Sequence, residues 1–209
     1  MDFAAARKVM VDSQVRVNDV TDRALQAALL AVPRERFLPA ERAYSAYAEI
    51  EPEIAGGRRL MLARDLSKLL MALDARPGET ALAIAAPYAA AVLARLGLEA
   101  TAQESDDAVF GVVGEVLAEE GVRMTTAPLN TPTAGGYDII VCEAAVPGRP
   151  EAWLNVLNVG GRMAVVERAG PVGKAVLYVR GEQGVSRREL FNAAPPMLAE
   201  LSPLPIFAL

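Results

Sequence analysis

The 209-residue sequence contains no histidine and a single cysteine, Cys142. Without histidine, a Ser-His-Asp triad and a Cys-His pair are excluded, and the commonest metal ligand is missing, so we expect no metal site. A single cysteine also excludes an internal disulfide framework. We expect Cys142 to pack in the core, because no base is available to activate its thiol.

Aromatic residues and clusters of positive charge are also scarce. Aromatics make up 5% of a chain that is 53% hydrophobic, which favours helices packed on a buried parallel sheet over a β-sandwich. The net charge is -5, and the densest basic sites are the pairs Arg58-Arg59 and Arg187-Arg188. Such pairs are typical of a solvated surface, so we expect no nucleic-acid partner. The sequence has no apolar run long enough to cross a membrane, and its start lacks the basic region followed by an apolar region that is typical of a signal peptide. These features predict a cytoplasmic protein without a membrane segment.

The hydrophobic pattern predicts one α/β domain over residues 1–209, with a helical N-terminal region at 1–75 packed on it. Beyond that region, short apolar runs alternate with helical segments, and two β-rich runs lie close together near the end. This alternation predicts a doubly wound, mostly parallel sheet with antiparallel C-terminal strands. The predicted strands are Thr80–Ala85, Glu99–Gln103, Val122–Thr126, Tyr137–Cys142, Met163–Val166, Lys174–Val179 and Arg188–Asn192. We also predict helices at Tyr88–Leu96, Asp106–Glu120 and Glu151–Val159, and a loop at Glu51–Gly57.

Several short motifs follow one another in a fixed order along the chain. Residues 10–14 read Met-Val-Asp-Ser-Gln, and residues 32–39 read Val-Pro-Arg-Glu-Arg-Phe-Leu-Pro. Tyr137–Val141, Ala144-Ala145 and the Gly-Gly-Arg run at 160–162 come later. This ordered set resembles the protein-L-isoaspartate O-methyltransferase family. The resemblance implies a Rossmann-like methyltransferase fold, S-adenosylmethionine as cofactor, and methyl transfer to isoaspartyl carboxylates of proteins.

The resemblance places the cofactor turn after the strand at Thr80–Ala85. The family has a glycine-rich turn there, whereas this chain has Ala85, Ala86 and Pro87, and the strand's acidic residue is replaced by Ala83. Glycines at such a turn let the backbone approach the cofactor closely. Because proline also fixes φ and removes a donor, we expect this turn to fill or distort the space of the cofactor's methionine end.

Two carboxylates stand near the remaining cofactor positions that the resemblance implies. Glu104 lies where the family's acidic residue binds the ribose hydroxyls, with Asp106 and Asp107 as alternatives. A polar turn and a helix N-cap explain these residues equally well. Glu143 replaces a threonine of the family, and its carboxylate would repel an anionic substrate unless it is paired.

The substrate segment differs from the family as well. The resemblance implies a Gly-Gln-Thr-Ile-Ser run, but here Gly57 is followed by Arg58, Arg59, Leu60 and Met61. Both hydroxyl positions are lost, and Met61 stands at the place of the serine. Arg58 and Arg59 are suited to bidentate pairing with a carboxylate, so an acidic ligand is compatible with this segment.

Two functions fit these observations. The first is an S-adenosylmethionine-dependent methyltransferase that acts on isoaspartyl-containing proteins through a remodelled pocket. The second is a non-catalytic relative that binds or regulates another protein. A nucleotide-binding enzyme of another kind is a weaker third possibility, because the chain has no glycine-rich phosphate loop. The oligomeric state is open, including whether the apolar tail Leu204–Leu209 packs on the domain or on a second copy.

Overall fold

In the computed structural model, which describes residues 1–133 and 135–201, helices and strands alternate from residue 80 onward. The predicted packing of Leu204–Leu209 lies outside the described residues. The α-helices are α1 Phe3–Met10, α2 Arg23–Ala31, α3 Ala63–Ala72, α4 Pro87–Arg95, α5 Asp107–Glu119 and α6 Glu151–Leu154. The strands are β1 Glu53–Ala55, β2 Arg58–Arg59, β3 Thr80–Ile84, β4 Glu99–Glu104, β5 Arg123–Thr126, β6 Tyr137–Val146, β7 Leu157–Glu167, β8 Gly173–Gly181 and β9 Gly184–Ala193.

Seven of these strands form one sheet in the order β5-β4-β3-β6-β7-β8-β9. The first five are parallel to one another, and β8 and β9 add antiparallel. This arrangement confirms the predicted doubly wound sheet with antiparallel C-terminal strands. Among the described residues, no helix has the length and apolar character that crossing a membrane requires.

The sheet separates two apolar layers. The larger layer joins the sheet to α1–α5 and includes Leu66, Val92 and Val113. The smaller layer covers the opposite face and is centred on Trp153 of α6, whose indole N–H donates to the Leu129 carbonyl at 2.7 Å. Helices therefore lie on both faces of the sheet, as expected for parallel strands that are buried on both sides.

The N-terminal region is helical, as predicted, and Arg7 anchors its first helix. α1 continues into a π-helical turn at Val11–Val15 and a 3-10 turn at Arg16–Asn18. Arg7 of α1 pairs with Glu35 at 3.0 Å and donates to the Tyr47 hydroxyl at 2.9 Å. These contacts fix the first helix against the motif at residues 32–39.

The loop predicted at Glu51–Gly57 is wrong, because residues 53–59 form a β-hairpin. Ala55 pairs with Arg58 across a turn of two glycines, Gly56 and Gly57, whose φ angles are +55° and +79°. Two successive residues with positive φ make the tight turn that suits a two-residue hairpin loop, and glycine adopts that conformation without steric cost.

The helix predicted at Glu151–Val159 is also wrong in its extent. α6 ends at Leu154, and Leu157 already pairs with Tyr137 in the sheet. A short apolar run does not distinguish a helix from a buried strand, so the spacing alone misplaced the boundary. Gly160, with a φ of +84°, lies in an irregularity within β7 rather than in a turn between elements.

Candidate functional site

The carboxyl ends of β3, β4 and β6 meet at one edge of the sheet. Ile84 of β3 pairs with Gln103 on one side and with Cys142 on the other. The residues that follow these two partners, Glu104 and Glu143, therefore flank the turn after β3. Ligands of doubly wound sheets bind at such a position. We call the space around Ala85, Glu104 and Glu143 the strand-end site.

The turn after β3 keeps a glycine-like backbone without glycine. Ala85 is fully buried with a φ of +51°, and its N–H donates to the Gln103 carbonyl at 3.0 Å. A left-handed alanine costs about 1 kcal/mol relative to glycine. Pro87 occupies the first position of α4, where its missing N–H is one that a helix leaves unbonded in any case. Ala86, at the N-cap, offers no side-chain oxygen, so α4 begins without a cap of its own.

Glu143 supplies that missing cap from the end of β6. Its carboxylate accepts from the Ala89 N–H at 2.7 Å and from the Met61 N–H at 3.4 Å. Burial raises the pKa of Glu143, and the positive charge of Arg34 and the backbone amides oppose that rise. A carboxylate is stabilised at a helix N-terminus by the exposed N–H groups and the dipole. The Glu143 carboxylate is therefore satisfied by backbone N–H groups rather than by an ion pair within the described residues.

Arg34 brings a buried positive charge to the same place. It is 1% exposed, and its guanidinium donates to the carbonyls of Ala46 at 2.8 Å and Met61 at 2.6 Å. The guanidinium carbon lies 4.8 Å from the centre of the Tyr88 ring. Within the described part of the chain, Nη1 of Arg34 and the Tyr88 hydroxyl have no hydrogen-bond partner. Sequence reasoning missed Arg34, because all three residues between Pro33 and Phe37 are charged and no local signal distinguishes the buried one.

Glu104 is held by an arginine of the chain itself. It is fully buried, and its Oε2 accepts from Nε of Arg58 at 2.9 Å. Glu200 approaches the other side of Arg58 at 3.4 Å and accepts from the Ser105 hydroxyl at 2.6 Å. Burial raises the pKa of Glu104 to about 7, even though the Arg58 charge acts to lower it. Glu104, the carboxylate that the resemblance assigns to ribose binding, is therefore already paired with Arg58.

The two neighbouring arginines point to opposite sides of the hairpin. Arg58 is buried, whereas Arg59 is exposed and donates to the Glu51 carbonyl at 3.0 Å. Met61 is 1% exposed and lies against Glu143 and Arg34 through its backbone. The structure therefore brings Arg58 and Met61 into the strand-end site and leaves Arg59 outside it.

The remaining candidates have local structural roles. Asp106 is the N-cap of α5 and accepts from the Ala108 N–H at 2.8 Å. Asp107 accepts from the Thr126 hydroxyl. Burial raises the pKa of the Cys142 thiol to about 12, so the thiolate that a nucleophile requires does not form near neutral pH. The cap that the sequence offered as an alternative for residues 104–107 is thus made by Asp106.

Two cavities lie next to the strand-end site. One, of about 430 Å³, is lined by residues that include Ser105, Thr126 and Glu200. The other, of about 490 Å³, is lined by residues that include Pro147 and Trp153. Glu104 and Glu143 line neither cavity, in agreement with their burial. The described residues contain no cluster of three or more side chains able to hold a metal ion.

Comparisons with known proteins agree with this architecture. No family model matches the chain. A protein-L-isoaspartate O-methyltransferase of Methylorubrum populi is 34% identical over 197 residues, which cover 91% of this chain and 92% of the relative. The protein of the same name from Methylorubrum extorquens is 32% identical over 200 residues, which cover 93% of this chain and 87% of the relative.

A solved structure with the same fold comes from Plasmodium falciparum. That protein, assigned as a protein-L-isoaspartate O-methyltransferase and crystallised with S-adenosyl-L-homocysteine, matches with a TM-score of 0.79 at 13% identity. The match covers 93% of this chain and 98% of that chain. At this identity the likeness shows the fold alone.

Proposed function

The chain belongs to the protein-L-isoaspartate O-methyltransferase family, and we propose that it is a member whose cofactor position is closed by its own side chains. In this proposal it acts as a non-catalytic binding protein. The observation that carries the proposal is the buried ion pair between Arg58 and Glu104 at 2.9 Å. The carboxylate that would hold the ribose of S-adenosylmethionine is occupied by a guanidinium.

A second contact supports the same conclusion. The N-terminus of α4, where the turn after β3 would face the cofactor, is capped by the Glu143 carboxylate at the Ala89 N–H. The Glu143 carboxylate takes up an N–H group at this helix end and repels the carboxylate of the cofactor's methionine end, while the cationic sulfonium is not repelled. The residues of the strand-end site therefore do not fit S-adenosylmethionine in the arrangement that we describe, and we derive no reaction step through it.

Methyl transfer to isoaspartyl-containing proteins is the second candidate function. Two observations favour it: the similarity extends over 92% of the Methylorubrum populi relative, and a cavity of about 430 Å³ lies beside Ser105. For this function Arg58 would have to leave Glu104 when the cofactor enters. The cytoplasmic location predicted from the sequence stays a prediction, which fractionation of cells that produce the chain would test.

Calorimetric titration with S-adenosylmethionine and S-adenosylhomocysteine separates the two candidates. We expect no binding heat at about millimolar ligand, where even a Kd of about 1 mM, or about -4 kcal/mol, would be seen. The matched variant is Arg58→Gln, which restores the residue of the family and frees Glu104. Gain of binding by this variant alone would identify Arg58 as the closing element.

Binding by the unaltered chain at micromolar strength would overturn the proposal. The next measurement would then be transfer of a labelled methyl group to an isoaspartyl peptide. Turnover above a blank without enzyme would establish the second candidate. A thermal unfolding curve of each variant confirms that the protein in the titration is folded.

A further inference from the structure

The two edges of the seven-stranded sheet are very different. One edge is β5, which has four residues, and the other is β9, which has ten. Short edge strands offer few free backbone groups, whereas a long one presents a row of unpaired N–H and C=O groups. The outer side of β9 pairs with no other strand in the part of the chain that the structure describes. This edge is therefore open to a further strand.

A groove runs between this edge and α3. It has a volume of about 390 Å³, and we call it the β9 groove. Its lining residues are Lys68, Met71, Ala72, Arg188, Glu189, Leu190 and Phe191. Arg188 and Phe191 lie opposite Leu177 and Ala175 of β8, which belong to the apolar layer that contacts α3. A strand added beside β9 would thus present every second side chain to α3.

The floor of the β9 groove is apolar and irregular. Leu190 has no partner residue on β8, because the register shifts between Ala175 and Val176. Leu190 and Phe191 are both half-buried and both line the groove. Together they offer an apolar surface for an aliphatic side chain.

Two cations of the groove have no ion-pair partner among the described residues. The Lys68 ammonium lies 4.1 Å from the centre of the Phe191 ring, and Arg188 is exposed. By contrast, Arg187 pairs with Glu167 at 2.7 Å. The Glu189 carboxylate also lines the groove, but Arg187 lies 3.2 Å from it.

Among the described residues, no carboxylate lies within ion-pair distance of Lys68, although its charge acts to lower the pKa of Asp65. On the same helix, Asp65 pairs with Arg64 at 3.4 Å. Glu189 is also approached by Lys174 at 3.7 Å, so both nearby carboxylates have other basic partners. Two cations without an ion-pair partner among the described residues, beside an apolar floor, are complementary to an acidic and aliphatic segment.

We propose that β9 and the β9 groove bind an extended segment of another protein, which adds to the sheet as an eighth strand. Backbone hydrogen bonds to β9 supply affinity in this mode, and the alternate side chains supply selectivity. Acidic side chains of the segment lie against Lys68 and Arg188, and an aliphatic side chain between them packs on Leu190 and Phe191. This surface is separate from the strand-end site and does not depend on the function proposed for that site.

A designed peptide tests the proposal. The probe is fluorescein-labelled Thr-Glu-Thr-Leu-Thr-Glu-Thr-Leu-Thr, which places glutamate and leucine on one face of a strand. Its binding to the full chain is followed by fluorescence anisotropy. Replacing the central threonine by proline removes a backbone donor, and we expect binding to weaken by roughly tenfold or more. Replacing both glutamates by lysine should weaken binding by at least as much.

Variants of the chain locate the binding surface. Lys68→Glu and Arg188→Glu should each weaken binding of the probe by roughly tenfold. Arg123→Glu, on the opposite edge strand, is the matched control and should leave binding unchanged. Absence of saturable binding up to about 1 mM probe, or binding insensitive to proline and to both variants, would overturn the proposal. Sedimentation that shows dimers dissociated by Arg188→Glu would also overturn it, because a second copy would then occupy β9.

Discussion

The carboxyl ends of β4 and β6 each bury a glutamate, but the two carboxylates are satisfied in different ways. Glu104, at the end of β4, is held by the side chain of Arg58, and its Oε1 has no partner among the described residues. Glu143, in β6, accepts from backbone N–H groups of two segments. One contact therefore depends on a side chain that has rotational freedom, and the other is built into the backbone.

This difference determines which of the two carboxylates a ligand can reach. A ligand that displaces Arg58 has to break side-chain ion pairs with Glu104 and Glu200, after which Glu104 is available. A ligand that displaces Glu143 has to leave the N-terminus of α4 uncapped and the buried guanidinium of Arg34 without its nearby carboxylate. Each buried N–H group that loses its acceptor costs about 1 to 3 kcal/mol, and Glu143 serves two of them. We therefore regard the β6 end as structural and the β4 end as the adjustable half of the strand-end site.

The largest effect should come from Glu143→Ala. The substitution leaves the buried N–H groups of Ala89 and Met61 without an acceptor. Because each unsatisfied buried donor costs about 1 to 3 kcal/mol, we expect the free energy of unfolding to fall by about 3 to 5 kcal/mol. Urea titration at neutral pH measures it. Glu182→Ala, at the exposed turn between β8 and β9, should change stability by less than about 0.5 kcal/mol. Equal losses in both variants would show that Glu143 contributes no more to stability than an exposed glutamate.

The pH dependence of stability should come next in size. The pKa of Glu104 is raised to about 7 in the folded chain from an ordinary value of 4.5. Between these values the folded chain holds a proton that the unfolded chain has lost, so stability decreases as pH rises through this window. From pH 5 to pH 8, we expect the unaltered chain to lose about 2 to 3 kcal/mol more than Glu104→Gln does.

Unfolding titrations at the two pH values measure this difference. Glu182→Gln is the matched control, and it should follow the unaltered chain. If Glu104→Gln showed the same pH dependence as the unaltered chain, Glu104 would not be the buried acid that the structure indicates. If only Glu104→Gln reduces the pH dependence of the free energy of unfolding, Glu104 is the group that titrates between pH 5 and pH 8.

The smallest effect is expected at the turn between the two glutamates. Ala85 has a φ of +51°, so Ala85→Gly removes the strain of a left-handed alanine but adds freedom to the unfolded chain. The net gain in unfolding free energy should be at most about 0.6 kcal/mol. Ala90→Gly, inside α4, should instead destabilise by about 1 kcal/mol. Thermal unfolding compares the two, and a loss of stability in Ala85→Gly would show that the turn is not strained.

The sequence predicted the sheet well because its strands are short apolar runs buried on both faces. The resemblance also aligned Glu104 and Glu143 with two strands, and the structure brings both residues beside the turn after β3. Their roles toward a cofactor stay a prediction. It did not predict that Arg58 would pair with Glu104, because that contact joins residues 46 positions apart. The pairing depends on a hairpin at residues 53–59 that we had interpreted as a loop.

Arg34 was missed for a related reason. Pro33 indicates that a helix ends in this motif, but no local pattern indicates that the Arg34 side chain is 1% exposed. The carbonyls that it contacts, those of Ala46 and Met61, lie on segments whose approach only the tertiary structure reveals. Local patterns predict elements, whereas buried polar contacts depend on how those elements meet.

The turn at Gly56-Gly57 has a consequence for how this chain can diverge. Side chains alternate in β2, so the length of the turn decides which arginine faces inward. Insertion of one residue in the turn would exchange Arg58 and Arg59 without altering either codon. The residue that faces Glu104 therefore depends on the length of the turn as well as on the identity of residues 58 and 59. In homologous genes, a one-residue insertion or deletion at this turn is the mutation to examine.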